Sequence, residues 1–451
     1  MTTVRRGSPD HEVGAQQATD RPDPSPSDPF APLRTRRYLG LLILAGILGV
    51  PISAAAYGFL KMVTNMQGWV FTNLPTTLGF QREPIWWPLP MLALAGILVG
   101  PTIRYLPGKG GASAADGFKA HGAPSPVELP GVILAALATL SFGVVLGPEA
   151  PLIALGGGLA VCAVRFAGRN PPARVNAVMA AAGAFAAIST LLGSPLLGAF
   201  LLMEAVGVGG ATLELVLLPG LLAAGVGSLI FIGLGSWTGF GTFSLTIPGL
   251  PPGGQPNIAE FGWAFVIGVA AAFIGTSIRR LALFLRPRVE RRILLATPMA
   301  GLAVAGLAIA YAEGTGRGTS EVLFSGQDAL GPLIAHGAEY TVGTLVLLIA
   351  CKGIAYGVSL SGFRGGPVFP SMFLGAAGGI ALSHLPGLPL VPGVAMGIGA
   401  MSAVMLKLPM TAVLLATLLL LADGLAVMPL VIVAVAVAYV VSVRLTPAQL
   451  A

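Results

Sequence analysis

Apolar residues dominate positions 38–445, in long runs that are separated by short polar or basic stretches. Two of these runs, at 293–312 and 428–443, approach the ~20 residues that a helix needs to cross the hydrocarbon core of a bilayer. The pattern predicts an all-α protein with many membrane-spanning helices.

Composition strengthens this prediction and narrows the class of membrane protein. The chain is 55% hydrophobic and 10% charged, whereas a soluble domain carries about 25% charged residues. Its 63 glycines and 37 prolines lie largely inside the apolar runs, where they break or kink helices. Broken helices persist in a membrane only where the freed backbone is buried in protein or lines a wet cavity. The composition therefore favours a transporter or channel over a simple anchor.

Basic residues define the predicted organisation. They cluster at 34–37, 165–174 and 279–292, as expected of cytoplasmic loops. They are dispersed rather than gathered on an aromatic-basic surface, so we expect no nucleic-acid partner. We predict a disordered cytoplasmic tail at 1–33, a first membrane half at 38–278, a basic cytoplasmic linker at 279–292, a second membrane half at 293–445 and a short tail at 446–451. The Ala-, Gly-, Pro- and Arg-rich usage suggests a bacterial inner membrane.

The two membrane halves share a repeat. Residues 147–156 read GPEAPLIALG and residues 366–375 read GPVFPSMFLG, so both follow G-P-x-x-P-x-x-x-L-G. A second pair, SPLLG at 194–198 and LPMTA at 408–412, follows in the same order. Repeated halves with interrupted hydrophobic segments indicate a binding site near the membrane midplane. Proline suits the first turn of a helix, so each Gly-Pro pair predicts a helix start whose free N–H groups favour an anion.

Glu149 stands two residues after Gly147, in the first turn of one such helix. One interpretation is that its carboxylate only caps the free N–H groups of the helix. The interpretation we favour is a gate, because an ionised carboxylate in an anion site competes with the transported anion, and protonation releases it. Ionisable groups within the membrane are functional by default.

Four landmarks resemble the CLC family of chloride channels and proton-coupled anion exchangers, in the family's order. They are GKGGA at 108–112, which lies where the family has G-S-G-I-P; GPEAP at 147–151, which looks like G-x-E-G-P; GSPLLG at 193–198, which leads to Glu204 and resembles N-A-P-L-A-G; and GGPVFP at 365–370, which is similar to G-G-x-F-x-P. The resemblance implies two inverted halves of tilted and broken helices, an anion path in each subunit, and a homodimer.

The resemblance also implies site residues. Glu149 would be the gate and proton acceptor, and Glu204 would belong to an acidic pair on the proton route. The anion-binding positions would be Lys109, Gly110, Gly147, Pro148, Ala150, Gly366, Val368 and Phe369. We expect no metal site and no cofactor, since the histidines show no metal-ligand spacing.

Several positions depart from the family pattern. Lys109 replaces a serine at the central anion site, where its ammonium either strengthens anion binding or extends to the cytoplasmic interface. Pro367 falls where the family has a backbone N–H facing the anion, and proline has none. The family's phenylalanine is displaced to Phe369, and a loose alignment puts Gln449 in place of a central tyrosine. Chloride, bicarbonate and nitrate therefore remain open as substrates.

The proton route is also altered. The second residue of the family's acidic pair is Ala205 here, a loss typical of family channels, although some coupled members manage without it. In the alternative, Glu204 has a structural role and bonds helix ends on the cytoplasmic side. We expect channel-like or weakly proton-coupled anion transport, with a proton-coupled antiporter as the alternative.

Two other classes of membrane protein are alternatives. An intramembrane zinc protease would need H-E-x-x-H, which is absent, and Ser361 has no histidine in a matching helix to act as its base. We therefore expect no enzyme. A transporter on another inverted-repeat fold would keep the repeats but give Glu149 no special role.

Overall fold

The computed structural model describes residues 31–116, 122–168, 172–206, 211–233, 255–420 and 422–446. Within these ranges the secondary structure is helical apart from one isolated β-bridge. The predicted all-α architecture is confirmed. Residues 1–30 and 447–451, which hold most of both predicted tails and Gln449, lie outside the described residues.

The helices before residue 255 are mostly short. They are α1 (Arg36–Gly68), α2 (Leu74–Thr77), α3 (Pro88–Tyr105), α4 (Leu129–Ser141), α5 (Glu149–Ala167), α6 (Ala173–Leu192), α7 (Pro195–Val206), α8 (Ala211–Gly227) and α9 (Leu229–Gly233). A single turn of π-helix joins α1 to α2.

The helices after residue 255 repeat this mixture of long and short elements. They are α10 (Ile258–Arg291), α11 (Ile293–Thr315), α12 (Gln327–Ala335), α13 (Val342–Gly362), α14 (Val368–Ser383), α15 (Leu390–Leu406), α16 (Pro409–Leu419) and α17 (Ala422–Leu445). The basic segment predicted as a linker forms the last turns of α10, and α11 begins two residues after that helix ends.

Helix length separates spanning from partly spanning elements. Among the described residues, eight helical segments are long and apolar enough to cross a bilayer. Others, including α14 with 16 residues and α16 with 11, are apolar but shorter. At 1.5 Å per residue, α14 covers about 24 Å, less than the hydrocarbon core. Short, interrupted helices are what the dispersed glycines and prolines predicted.

The repeat of the sequence has a structural counterpart in helix packing. Its last glycine is Gly156 on α5 and Gly375 on α14. A methyl group at Gly156 would overlap the carbonyl oxygen of Gly183 on α6, and one at Gly375 would overlap that of Gly397 on α15. In both halves, therefore, the helix that follows a Gly-Pro pair packs backbone to backbone against the next long helix.

One end of the bundle is rich in cations and is called the basic end here. It comprises residues 279–292, Lys407 after α15, and the end of α17 at Leu445. The Lys407 ammonium donates to Oγ of Ser442 at 2.9 Å, and the Arg280 guanidinium donates to the Leu445 carbonyl oxygen. These contacts bring α10, α15 and α17 together at the same level.

Candidate functional site

The two Gly-Pro segments meet inside the protein. The backbone N–H of Gly147 donates to the carbonyl of Gly366 at 2.8 Å, and the N–H of Gly366 donates back to Gly147 at 2.6 Å. This pair of hydrogen bonds is the isolated antiparallel bridge. Both glycines are buried. The two halves thus join where each chain segment turns into its helix.

Each helix starts directly after its proline. Pro148 (φ −82°, ψ −1°) is the N-cap of α5, and Pro367 (φ −94°, ψ −3°) is the N-cap of α14. The matching backbone angles give both helix starts the same local geometry. Because proline has no N–H, neither N-cap residue leaves an unpaired donor at this buried position.

Glu149 is the first residue of α5 and is fully buried. Its Oε1 accepts a hydrogen bond of 2.9 Å from the backbone N–H of Phe369, in the first turn of α14. Its Oε2 has no hydrogen-bond partner among the described residues. The carboxylate therefore lies at the amino end of the opposite repeat's helix, where free N–H groups and the helix dipole favour negative charge.

The two bridging glycines make room for this carboxylate. A methyl group on Gly366 would overlap Oε2 of Glu149, and one on Gly147 would overlap both carboxylate oxygens. Neither glycine has a positive φ, so the close approach, rather than backbone conformation, requires glycine here. The Glu149 carboxylate therefore fills the space beside these two glycines.

The remaining positions of the predicted anion site fall into two groups. The first group lies around Glu149. Three of its members are buried, namely Pro148, Val368 and Phe369, and the fourth, Ala150, is partly exposed. In contrast, the side chain of Lys109 is exposed.

The segment around Gly110 lies near the second Gly-Pro segment without bringing the lysine to the carboxylate. Gly110 is buried, and a methyl group there would contact Ala135 and the aliphatic stem of Arg364. The Arg364 Nε donates to the carbonyl of Lys109 at 3.3 Å. Lys109 itself has φ 50°, a left-handed conformation that turns the backbone here. Its exposure agrees with the alternative in which the ammonium extends to the interface.

Glu204, near the end of α7, caps another helix. Its Oε1 accepts from the N–H of Met410 at 2.9 Å, and its Oε2 accepts from the N–H and hydroxyl of Thr411 at 2.8 and 2.7 Å. These residues form the first turn of α16, so the carboxylate satisfies N–H groups that would otherwise lack partners. This arrangement agrees with the alternative in which Glu204 has a structural role and bonds a helix end.

Sequence reasoning gave no role to three buried or half-buried groups near the site. Tyr356 on α13 is fully buried and donates to the carbonyl of Pro367 at 3.0 Å. Arg279 on α10 was counted only as part of the basic segment. Lys352 is fully buried. In the sequence it is a lone cation inside an apolar run, which was a signal that it has a role. Among the described residues, no cluster of three or more His, Cys, Asp or Glu side chains could hold a metal ion.

Glu83 lies outside the spanning helices, just before α3. Its Oε1 accepts from the Thr319 hydroxyl at 3.2 Å. Burial raises the pKa of this carboxyl from 4.5 to about 7, against a smaller opposite effect of the Thr319 hydrogen bond. The folded state therefore holds a proton that the unfolded chain releases at lower pH.

We expect this carboxyl to make folded stability depend on pH. Because its folded-state pKa lies above its ordinary value, stability falls as pH rises from about 4.5 to about 7 and then levels off, by roughly 1 kcal/mol after discounting for solvent. Thermal unfolding in detergent at about pH 5 and about pH 8 measures this difference, which Glu83→Gln should remove. An unchanged difference in the variant would assign the pH dependence to other groups.

Comparison with known proteins agrees with the geometry. A sequence model of the voltage-gated chloride channel family matches residues 91–443. A putative ion-transport protein, YfeO, of Salmonella typhimurium is 31% identical over 355 residues, covering 76% of this chain and 80% of that protein. The Salmonella choleraesuis protein of the same name is 30% identical with the same coverage.

Solved structures share the fold. A slow cyanobacterial Cl⁻/H⁺ antiporter matches with a TM-score of 0.70 and 19% identity, covering 90% of this chain and 95% of that one. A CLC-type fluoride/proton antiporter matches with a TM-score of 0.60, also with 19% identity and the same coverage. A eukaryotic CLC transporter matches with a TM-score of 0.70 and 14% identity, covering 91% of this chain and 73% of that one.

Proposed function

Because the chain belongs to the CLC family of anion channels and transporters, we propose that it moves small inorganic anions along a path gated by Glu149. Members of this family are ion channels or transporters, which excludes the intramembrane enzyme. The protein is a multi-pass membrane protein.

One observation carries the gating mechanism. The Glu149 carboxylate is fully buried and hydrogen-bonded to the first-turn N–H of Phe369. An anion needs the same donors at the amino end of α14, so the ionised carboxylate and the anion compete for one position. Protonation removes the negative charge of Glu149 and with it the attraction to the helix dipole. The side chain then leaves the pocket and the path opens.

The mode of transport we propose is channel-like or weakly coupled to protons. Ala205 offers no carboxylate, and Glu204 is engaged in capping α16. Both oxygens of the Glu204 carboxylate are occupied by donors of Met410 and Thr411, so a role as proton relay would require it to leave these partners. A proton-coupled antiporter is the second candidate, favoured by the fold shared with the chloride/proton and fluoride/proton antiporters.

The anion we propose is chloride or one of similar size, such as nitrate or bicarbonate. The exposed Lys109 leaves the buried carboxylate site without a full cation from that segment. Selection then depends on backbone donors and on size, since the pocket is bounded by Gly147 and Gly366. Flux measured with chloride, nitrate and bicarbonate in turn orders these substrates.

We also propose a bacterial inner-membrane homodimer with a cytoplasmic amino terminus. Residues 279–292 carry six arginines, and such segments favour the cytoplasmic side. Exposed apolar side chains on α7 and α16, Leu196 at 52% and Met410 at 60%, provide a surface for a second subunit. Crosslinking in membranes, with cysteines introduced at these two positions, tests the dimer.

Glu149→Gln is the experiment that tests the gate. In proteoliposomes, wild-type anion flux should rise roughly tenfold as pH falls from about 8 to about 5, because the carboxylate becomes neutral and leaves its site. Glutamine is always neutral, so the variant should be fast throughout this range. Flux is followed with a chloride electrode after dissipation of the membrane potential.

A matched control tests whether neutralising any carboxylate changes the flux. Glu290→Gln changes a surface carboxylate whose partner is Arg286, at 2.7 Å, and should leave flux unchanged. Wild-type vesicles without anion flux would overturn the transport proposal. Flux that keeps its pH dependence in Glu149→Gln would leave transport standing and remove Glu149 as its gate. Sustained uphill proton movement, driven by an anion gradient, would favour the antiporter.

A further inference from the structure

An aromatic surface lies between α2 and α3, on residues 78–87, which are called the aromatic loop here. Its side chains Leu78, Phe80, Ile85 and Trp86 are all exposed. The rings of Phe80 and Trp86 meet edge to face, with their centres 5.8 Å apart. A cluster of exposed apolar side chains of this kind marks a surface that contacts a membrane or a partner.

The aromatic loop lies at the membrane boundary opposite the basic end. α11 starts next to the basic segment, and its 23 residues cover about 35 Å, more than the ~30 Å of a hydrocarbon core. Thr319 follows the end of this helix, and its hydroxyl donates to Glu83 of the aromatic loop at 3.2 Å. The loop therefore faces the headgroup region on the far side of the bilayer.

The chemistry of the loop fits phospholipid headgroups. Tryptophan favours this depth, because its ring is apolar and its N–H donates a hydrogen bond. The exposed Arg82 carries a charge opposite to that of the phosphate in every phospholipid. Exposed apolar side chains on the adjoining spanning helices, such as Met62 on α1 and Leu94 on α3, continue the same surface into the hydrocarbon core.

The other side of the loop is attached to the protein at two points. Trp86 is 49% exposed, whereas Trp87 is 3% exposed, so the two neighbouring rings face opposite ways. The Trp87 indole N–H donates to the carbonyl of Val70 at 3.0 Å, within the single turn of π-helix. The Glu83 carboxylate, which accepts from Thr319, is the second point. Single π-turns are frequent at functional sites.

The first attachment leads to Gly143 through an aromatic contact. Phe71 follows Val70 in the π-turn and packs edge-on against Phe324, with ring centres 4.9 Å apart. A methyl group on Gly143 would lie 3.1 Å from the Phe71 ring. A shift of the π-turn therefore presses directly on Gly143.

The second attachment reaches the same glycine through the backbone. The carbonyl of Thr319 accepts from the N–H of Leu323 at 3.2 Å, and the N–H of Phe324 donates to the carbonyl of Gly143 at 3.0 Å. Gly143 precedes Gly147 by four residues. Two series of contacts thus run from the aromatic loop to the segment before the gate.

We propose that the aromatic loop lies in the lipid headgroup region opposite the basic end, and that this lipid contact holds the segment from Gly143 to Gly147 in the position that seats Glu149. The effect on Glu149, unlike the lipid contact, rests on the proposed gate. In this arrangement the bilayer fixes the outer side of the loop, and Trp87 and Glu83 pass that constraint inward.

Tryptophan fluorescence tests the lipid contact without a transport measurement. In vesicles of phosphatidylcholine brominated near the carboxyl end of its acyl chains, Trp86→Phe should lower the quenched share of the emission by roughly a third to a half, because an exposed ring at this depth is lost. Trp87→Phe is the control and should not lower it, since that ring is buried. Bromine near the methyl end of the chains should quench wild type less.

Two outcomes would overturn the lipid contact. Equal quenched shares in Trp86→Phe and Trp87→Phe would show that lipid does not reach Trp86. A disulfide between two copies of Ile85→Cys, formed in vesicles in which Trp86 is not quenched and missing from wild type, would assign the loop to a second copy of the chain.

Chloride flux tests the link to the gate. Trp86→Leu keeps an apolar side chain but loses the interfacial ring, and Thr319→Val removes the hydroxyl that bonds Glu83. Both should reduce the roughly tenfold rise of flux between about pH 8 and about pH 5 to roughly threefold, because a loosened seat lets Glu149 leave while ionised. Phe273→Leu, which changes an exposed ring on α10, is the control and should behave as wild type.

The two measurements together separate the possible failures. Thr319→Val should leave the quenching of Trp86 unchanged, since its effect lies on the inner side of the loop. A tenfold rise retained in both Trp86→Leu and Thr319→Val would contradict the link to the gate. Wild-type vesicles without chloride flux would contradict the anion path instead, and the quenching result would be unaffected.

Discussion

Gly366→Ala is expected to raise chloride flux near neutral pH roughly tenfold and to remove most of its pH dependence. The added methyl group would overlap Oε2 of Glu149, so the carboxylate cannot remain in its pocket. The backbone at this position has no positive φ, and alanine keeps the N–H that bonds Gly147. The substitution therefore displaces the gate while leaving the bridge between the two halves intact. Chloride efflux from proteoliposomes at several pH values measures the change.

Two further variants exclude a simple packing defect. Gly378→Ala, on α14, adds a methyl group that meets nothing within 4 Å and should behave as wild type. Combining Gly366→Ala with Glu149→Ala removes the carboxylate that the methyl group displaces. If the two changes act on the same gate, the double variant should be no faster than Glu149→Ala alone. Slow flux in Gly366→Ala with the original pH dependence would show that the carboxylate tolerates the methyl group.

The meeting of the two repeats could be predicted from the sequence, because both repeats carry the same motif and that motif favours the start of a helix. Gly147 and Gly366 stand at equal positions of one motif, and a proline follows each. The physical preference of proline for helix starts then placed two amino ends in one region. The structure adds the backbone bridge and the hydrogen bond from Phe369 to Glu149. The assignment of Glu149 as a gate stays a prediction.

The positions of the other residues around the site depend on side-chain directions, which local sequence does not determine. Lys109 occupies the right motif position, yet its left-handed backbone accompanies an exposed side chain. Arg279 looked like one of six surface arginines, because its burial follows only from the crossing of α10 with α13. Tyr356 lies eleven residues before Pro367 along the chain, and only the turn after α13 brings its hydroxyl to that carbonyl. Such contacts need the three-dimensional path of the chain.

Lys352 is a buried cation whose hydrogen-bond partners are backbone carbonyl groups. Its ammonium donates to four consecutive carbonyl oxygens, those of residues 321–324, at 3.0 to 3.3 Å. It also lies 4.4 Å from the ring centre of Phe373 on α14. An ammonium has three donors, so the four carbonyls share them, and the ring face supplies further attraction. One side chain thus holds a loop against both α13 and α14.

This loop contacts the segment that leads to the gate. The N–H of Phe324, whose φ is 58°, donates to the carbonyl of Gly143 at 3.0 Å. Four residues later the chain reaches Gly147 and the bridge to Gly366. Left-handed backbone at a phenylalanine is unfavourable by roughly 1–2 kcal/mol, so it persists only while the surroundings hold it. Lys352 bonds the Phe324 carbonyl, and the Phe71 ring packs edge-on against the Phe324 ring, so both hold these surroundings.

Lys352→Met is therefore expected to destabilise the folded protein by roughly 3–5 kcal/mol, because four carbonyl groups lose a buried, charged donor. Methionine has a similar length and an apolar end, so the loss is of charge and hydrogen bonds rather than of volume. Thermal unfolding in detergent measures the effect. Lys407→Met is the matched control, since that half-buried ammonium makes a single hydrogen bond, to Ser442, and should cost about 1 kcal/mol or less.

A functional readout distinguishes the loop's role from general stability. At temperatures where Lys352→Met is still folded, release of residues 321–324 should loosen the segment before Glu149 and weaken the pH dependence of flux. A change of stability without any change in the pH profile would confine Lys352 to holding the fold. Equal melting temperatures for Lys352→Met and Lys407→Met would contradict the strength assigned to the four-carbonyl contact, because Lys352 is fully buried and bonded to four carbonyl groups, whereas Lys407 is half-buried and bonded to one hydroxyl.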